Sequence, residues 1–309
     1  MRSSEEAPPE VVELAARRQL ARESRDFAEA DRLRGMVAGA GWVVTDSPGG
    51  FQLSRLGMTT EIFADPGSVP SLLGQPPATV HSLCVPYYGW PEDVGLLLGG
   101  LLAATDAVTG SLEVVVALAG AAAPPPDGIL PTAHPALYRA PLLVRVSSGF
   151  GHAEAFNAAA RRAHGEFVHF VEPSLRLTWN VLAAAAGALA DPGVGATGPF
   201  GLATEDWRDF HPASGTDVMA LEYLVSVRRA DIAVIGEMDP GFRFYRNLDI
   251  DYSRQVVAAG FALRRYEVEV ERGPHRLWEA TPVEERDRLS RRNFNRLLDR
   301  WVRPRVPGS

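Results

Sequence analysis

Val80-His81-Ser82-Leu83-Cys84-Val85-Pro86-Tyr87, followed by a helical pattern over Glu92–Thr105 and then by Leu112–Ala119 with its three consecutive valines, is the stretch that decides the fold. A short apolar run closed by turn residues reads as a strand covered on both faces, and such strands separated by helices build a mostly parallel sheet. The alternation continues downstream. Ala121–Pro141 is a proline-rich loop, Leu142–Ser147 a third strand, Ala153–His164 a helix, Glu166–Val171 a fourth strand and Trp179–Ala190 a helix; Met219–Val227 and Leu263–Val270 add later strands. The expected fold class is α/β, a Rossmann-like, mostly parallel sheet with helices on both faces.

Upstream, residues 57–79 are rich in Gly, Ser and Pro and read as a linker. Residues 11–56 read as a helical hairpin with the apolar stripe Leu14, Leu20, Phe27, Leu33 and Val37. Gly39 and Gly41 stop the helices, and Trp42–Thr45 and Phe51–Arg55 are brief strands on either side of the turn Asp46-Ser47-Pro48-Gly49-Gly50. Residues 1–10 form a polar tail without the apolar core of a signal peptide. The large domain is expected over 80–280. At the other end, Thr281-Pro282-Val283-Glu284 carries a capping-box pattern, starting an amphipathic helix over 281–303 with Leu289, Phe294, Leu297, Leu298 and Trp301 on one side.

The chain has 309 residues and a net charge of −7, and its 31 basic residues are all arginine. That balance argues against nucleic acid as a partner. The single Cys84 cannot form an internal disulfide and reads as a small buried hydrophobe, which suits a reducing cytoplasm. The longest apolar stretches, Val94–Ala104 and Val181–Ala190, are about half of what a spanning helix needs.

Four segments hold candidate chemistry. The first strand ends at Pro86-Tyr87, where α/β sheets receive ligands. Ser147-Ser148-Gly149-Phe150-Gly151-His152 turns into a helix bearing Asn157; the glycines permit a tight turn, and the helix start offers N–H groups to an anion. The fourth strand ends at Glu172-Pro173-Ser174. Arg228-Arg229 is followed by Gly236-Glu237-Met238-Asp239-Pro240-Gly241-Phe242 and by Tyr245-Arg246-Asn247-Leu248-Asp249-Ile250-Asp251-Tyr252-Ser253. Taken alone, Asp249 or Asp251 could simply cap the adjoining helix.

Together these segments resemble family 2 glycosyltransferases of the GT-A nucleotide-sugar-binding fold. The resemblance implies a sugar moved from a nucleotide-diphosphate donor to an acceptor hydroxyl, with inversion. It implies Asp249 as general base, Pro86, Tyr87, Gly149, Gly151, Asn157, Glu172 and Ser174 as donor-binding residues, and Glu172 with His275 as ligands of a divalent cation, Mg²⁺ or Mn²⁺. Arg272 or Arg276 could neutralise phosphate directly. The sequence departs from the family pattern at Phe156 (usually arginine), at Ser174 and Leu248 (usually acids), and in the strand Val115–Ala119, which has no nucleobase-binding acid before Asp127. A neutral serine is a weak ligand for a hard cation. The alternative that these departures suggest is a non-catalytic binding or scaffold member of the fold. Asp251 reads as structural.

The N-terminal segment is similar to the small helical region at the C-terminus of cysteinyl-tRNA synthetases, through Ala21-Arg22, Asp26-Phe27, Ala30-Asp31-Arg32-Leu33-Arg34, Gly41-Trp42, Asp46 and Gly50. Its balanced charge favours packing or partner docking over RNA binding. Between Glu284 and Arg305 arginines outnumber acids by about two to one. That face is either solvated or a peripheral contact with an anionic inner membrane surface, where lipid-linked rather than free glycan acceptors would be met.

Overall fold

The computed structural model describes residues 7–47, 50–55, 58–103, 108–126, 128–213 and 215–303. Helices α1 (Pro9–Glu23) and α2 (Phe27–Gly39) form a hairpin, followed by the antiparallel pair β1 (Trp42–Ser47) and β2 (Gly50–Arg55). Asp26 caps α2 by accepting from the amide of Glu29 at 3.1 Å. The expected stripe is only half right. Leu33 and Val37 are buried, but Leu20 and Phe27 are 64% and 60% exposed. The two helices meet instead through the smaller Val11, Ala15, Ala21 and Ala30, which let them approach closely.

The large unit contains β3 (Thr59–Phe63), β4 (Thr79–Tyr87), α3 (Pro91–Leu102), β5 (Leu112–Leu118), β6 (Leu142–Val146), α4 (His152–Arg161), β7 (Gly165–Val171), β8 (Leu175–Arg176) and α5 (Trp179–Leu189). It continues with β9 (Val194–Gly198), β10 (Gly201–Ala203), β11 (His211–Pro212), β12 (Ala220–Leu221), β13 (Leu224–Arg228), α6 (Ile232–Ile235), α7 (Leu248–Ala258), β14 (Ala262–Arg265), β15 (Glu271–Arg272), α8 (Arg276–Ala280) and α9 (Val283–Trp301). The main sheet has eight strands in the order β14-β9-β13-β7-β4-β5-β6-β3. From β3 to β7 every pairing is parallel; β13 is antiparallel to both of its neighbours, and β14 is parallel to β9. One apolar layer packs the sheet against α4 and α7, the other against α3 and α5. No helix among the described residues is long and apolar enough to cross a membrane.

The linker expected over 57–79 is not free where it is described, from residue 58 on. Within it β3 pairs in parallel with β6 as the edge strand of the main sheet. Arg162 holds Glu61 through two hydrogen bonds of 2.7 and 2.8 Å, and the Leu72 amide donates to the Arg161 carbonyl at 2.7 Å. Arg229 donates to the carbonyls of Gln75 and Leu72, while Arg228 donates to the carbonyls closing α5 and pairs with Asp231. The arginine pair is therefore structural, and it is this segment that one of its members fastens. An edge strand covered on one side does not need a continuous apolar run, so Thr59-Thr60-Glu61 carries no strand signature.

Strand direction also sets which acids become neighbours. Because β13 runs opposite to β7, with Leu224 opposite Val171, its amino end lies at the edge where β4 and β7 finish. Glu222 and Tyr223, which precede β13, thus come beside Glu172, the residue just after β7.

Candidate active site

At this edge the turn Glu172-Pro173-Ser174 is pinned from two sides. The Glu172 amide donates to the Tyr223 carbonyl at 2.8 Å, and the Gly273 amide donates to the Ser174 carbonyl at 2.8 Å. The short antiparallel pair β8–β15 then delivers His275 to Glu172, with His275 Nε2 3.6 Å from Glu172 Oε1. The Ser174 amide (2.7 Å) and hydroxyl both donate to Glu172 Oε2. Burial pushes the Glu172 carboxyl up to about 7 despite those two hydrogen bonds. Burial also holds His275 down to about 4, so its ring is neutral at pH 7. Its Nδ1 accepts from the Trp278 amide at 3.3 Å, whereas the buried Nε2 has no hydrogen-bond partner. Tyr245 stacks on this ring with centroids 3.8 Å apart.

Asp249 stands in the first turn of α7. Its Oδ1 accepts from the Ile250 amide at 2.9 Å, and burial raises its carboxyl to about 6 against the opposing pull of that amide, the Tyr223 amide and Arg246. Tyr223 has φ of +62°, a left-handed conformation that a tyrosine rarely adopts and that turns the chain sharply before β13. Glu222, just ahead of that kink, is raised to about 7, first by burial and then by the charge of Asp249. A cavity of about 640 Å³ brings these groups together. Glu172, His275, Asp249 and Glu222 line it, with Tyr245, Phe210 and Phe294 as aromatic wall and Arg208, Arg246 and Arg291 among the cationic side chains.

The cavity wall contributed by α9 is firmly fixed. Arg296 holds Asp239 by two 2.7 Å bonds, Arg300 bridges Asp239 (2.8 Å) and Asp251 (2.6 Å), and Trp301 Nε1 donates to Asp251 at 2.7 Å. Asn293 donates to the carbonyls of Phe244 and Arg246. Asp251 is fully buried in this clamp. The helix does not begin with a capping box: Pro282 is its N-cap, and the Thr281 hydroxyl donates back to the Leu277 carbonyl.

The other residues expected to touch a donor occupy framework positions. Tyr87 is buried in the layer shared with α3, on the far side of the sheet, and Pro86 lies within β4. Gly149 has φ of +73°, and a Cβ there would stand 2.3 Å from the Gly120 carbonyl oxygen. Three amides at the start of α4 are already used: Gly151 donates to Glu154 (2.7 Å), His152 to the Arg243 carbonyl (3.2 Å) and Ala153 to the Phe242 carbonyl (3.1 Å). Asn157 exchanges two hydrogen bonds, of 2.8 and 2.9 Å, with the Met238 backbone. The glycine-turn helix and the 236–253 segment thus grip each other. Ser174 is buried and its hydroxyl is committed to Glu172. Arg276 is held by Asp93 at 3.1 Å and Glu92 at 3.5 Å, while Arg272 lies over the rings of Phe200 and Tyr223. Asp127 falls outside the described residues.

Sequence reading missed Glu222 and the aromatic pair Tyr88–His152, whose hydroxyl and Nδ1 are hydrogen-bonded. Burial drives His152 down to about 3. The one available signal for Glu222 was an acid at the head of an otherwise apolar strand.

A divalent cation meets a partial donor set here. Glu172 Oε1 and the orphaned His275 Nε2 are suitable hard and borderline ligands at a separation that one ion can bridge. No group of three or more His, Cys, Asp or Glu that could hold an ion exists among the described residues, so further ligands must come from a bound anion or water.

No family model matches the chain. Over 55 residues, 18% of its length, it is 47% identical to the cysteine–tRNA ligase of Rubrobacter xylanophilus, of which it spans 12%. Among solved structures it is similar to GalNAc-T7 with UDP, GalNAc and Mn²⁺, at 13% identity and a TM-score of 0.51, covering 72% of this chain and 48% of that one. It is also similar to glucosyl-3-phosphoglycerate synthase from Mycobacterium tuberculosis in complex with Mg²⁺ and UDP, at 13% identity and a TM-score of 0.51, covering 80% and 88%. At such identity the likeness establishes architecture: this chain has the GT-A fold.

Proposed function

We propose that the chain is an inverting glycosyltransferase of family 2 that uses a nucleotide-sugar donor, with Asp249 as its general base. The observation that carries this is the placement of Asp249 in one cavity with Glu172 and His275, at the edge where a GT-A sheet receives its ligands. The Asp249 carboxylate takes the acceptor hydroxyl proton as that oxygen bonds to the anomeric carbon, and the electron pair of the breaking bond leaves on the diphosphate. With its carboxyl at about 6, Asp249 is ionised at neutral pH yet basic enough for the task. Glu172 and the neutral His275 would hold a divalent cation, which supplies charge neutralisation to the departing diphosphate. Both similar structures contain UDP and such a cation, which supports the donor class.

One observation favours a non-catalytic binding module instead: three amides at the start of α4 are taken by other protein groups rather than offered to an anion. Calorimetry with a panel of nucleotide sugars, with and without Mn²⁺, separates the two readings. Donor binding enhanced by Mn²⁺, together with turnover lost in Asp249→Asn, supports the enzyme. Donor binding with no turnover removes the enzyme, whereas full turnover by Asp249→Asn removes only Asp249 as its base. For the hairpin over 11–56 we propose partner docking through the exposed Leu20 and Phe27. A gel shift with bulk tRNA that weakened steeply with salt would favour RNA instead.

A further inference from the structure

The carboxylates lining the cavity, the exposed Asp209 aside, are not equivalent in their partners. Glu172 is engaged by Ser174 and faces His275. Asp249 has the Ile250 and Tyr223 amides. Among the described residues the Glu222 carboxylate has no hydrogen bond and no ion pair, although it is more than half covered and its neighbour Tyr223 reaches Asp249 through its amide. The left-handed kink at Tyr223 is a strained backbone conformation for a tyrosine. That strain puts an unanswered acid beside the proposed base.

Resting on the glycosyltransferase reading, we propose that Glu222 is a second acceptor-contacting carboxylate, and that the acceptor is a polyol or sugar presenting two neighbouring hydroxyls. Asp249 removes the proton of the hydroxyl that is glycosylated, and Glu222 accepts a hydrogen bond from the hydroxyl beside it. Two carboxylates facing one cavity repel each other unless each receives a donor, and a vicinal diol brings two donors on adjacent carbons. A lone alcohol on a lipid or a serine would leave one acid unanswered. A metal ion between the two is disfavoured because Arg246 already supplies positive charge to both. The wall of Tyr245, Phe210 and Phe294 suits the apolar face of a sugar ring.

The test uses the intact protein, UDP- and GDP-hexose donors, and the methyl pyranosides of glucose, mannose and galactose as acceptors. The best acceptor is then compared with its analogue lacking the hydroxyl next to the glycosylated one, in wild type and in Glu222→Gln. Loss of a hydrogen bond to a charged group lowers kcat/KM roughly 10- to 100-fold, so the wild type should show that penalty for the deoxy analogue. Glu222→Gln should raise the acceptor KM, leave the donor KM unchanged, and show little further penalty for the deoxy analogue. Equal penalties in both proteins, or an unchanged acceptor KM in the variant, overturn the proposal while the transferase stands. If donor binds but no pyranoside is glycosylated, the acceptor proposal falls alone; if neither UDP- nor GDP-hexose binds by calorimetry, the transferase reading falls and this proposal with it.

Discussion

The two edges of the sheet hold buried ionisable groups under opposite rules. At the edge where β4 begins, Glu113 is completely buried, yet it accepts from the Ser82 hydroxyl (2.6 Å), the His164 amide (2.7 Å) and the His164 ring (2.9 Å), and Arg139 lies at 2.6 Å. Burial alone would raise its carboxyl, but these partners outweigh burial and bring it below the ordinary value. Beside it, His81 Nδ1 meets His169 Nε2 at 3.0 Å and His169 Nδ1 meets Ser226 at 2.8 Å. At the opposite edge Glu172, Glu222 and Asp249 are all raised, because burial there is not answered in full. Satisfied polar groups hold a fold together; unsatisfied ones in a cavity are held ready for something that arrives later.

The sharpest way to break this contrast is to remove one acid from each edge. Asp249→Asn should lower transfer activity by roughly 10²- to 10⁴-fold, the usual contribution of a general base. Its unfolding free energy should be no lower than that of wild type, since a buried carboxylate raised to about 6 is removed, and denaturant titration checks this. Glu113→Gln should do the reverse. It leaves Arg139 and His164 without their anion and should cost about 3–5 kcal/mol of stability by the same titration, with kcat unchanged in whatever protein stays folded.

Next comes pH. Glu172 and Glu222, raised to about 7 from an ordinary 4.5, contribute stability that is complete below 4.5 and lost as pH rises through 7. The depressed histidines His81, His152, His169 and His275 contribute stability present above 6.5 and lost as pH falls below it. Melting temperature should therefore rise from pH 8.5 to 6.5 and level off below that, where the continuing gain from the raised carboxyls, Asp249 and Asp251 included, opposes the loss from the histidines. Glu222→Gln should flatten the alkaline side and stabilise the protein at pH 8.5 by roughly 1–3 kcal/mol, the converted worth of such a shift.

The smallest effect sharpens the metal question. Ser174→Asp places a second buried carboxylate beside Glu172. It should lower the melting temperature without metal, and Mn²⁺ with UDP should restore it by binding the folded state. A melting temperature unaffected by Mn²⁺ and UDP in this variant, and equally in wild type and His275→Ala, would remove Glu172 and His275 as ligands.

The architecture was legible where strands are long and apolar. Val80–Tyr87 and Leu112–Ala119 announce themselves because both faces are covered. β3 did not, since an edge strand carrying Thr59, Thr60 and Glu61 looks like loop, and the hairpin stripe misled because small alanines rather than Leu20 and Phe27 set its contact. Within the site, Glu172, Asp249 and His275 lie at element ends that the sequence marks, and they share one cavity. The glycines and Asn157 carry the same signal whether a turn receives a ligand or another stretch of backbone; here Gly149 admits Gly120, and Asn157 takes Met238. Glu222 was hidden for a topological reason. Only the reversed direction of β13 brings its head to the working edge, and strand direction is not written in an apolar run.

The clamp between α9 and the 239–251 segment sets an order of assembly. During synthesis Asp239 and Asp251 leave the ribosome well before Arg296, Arg300 and Trp301, so these two acids lack their arginine and tryptophan partners until the final helix emerges. A message truncated between these points would yield a chain with its sheet complete and its carboxylates bare.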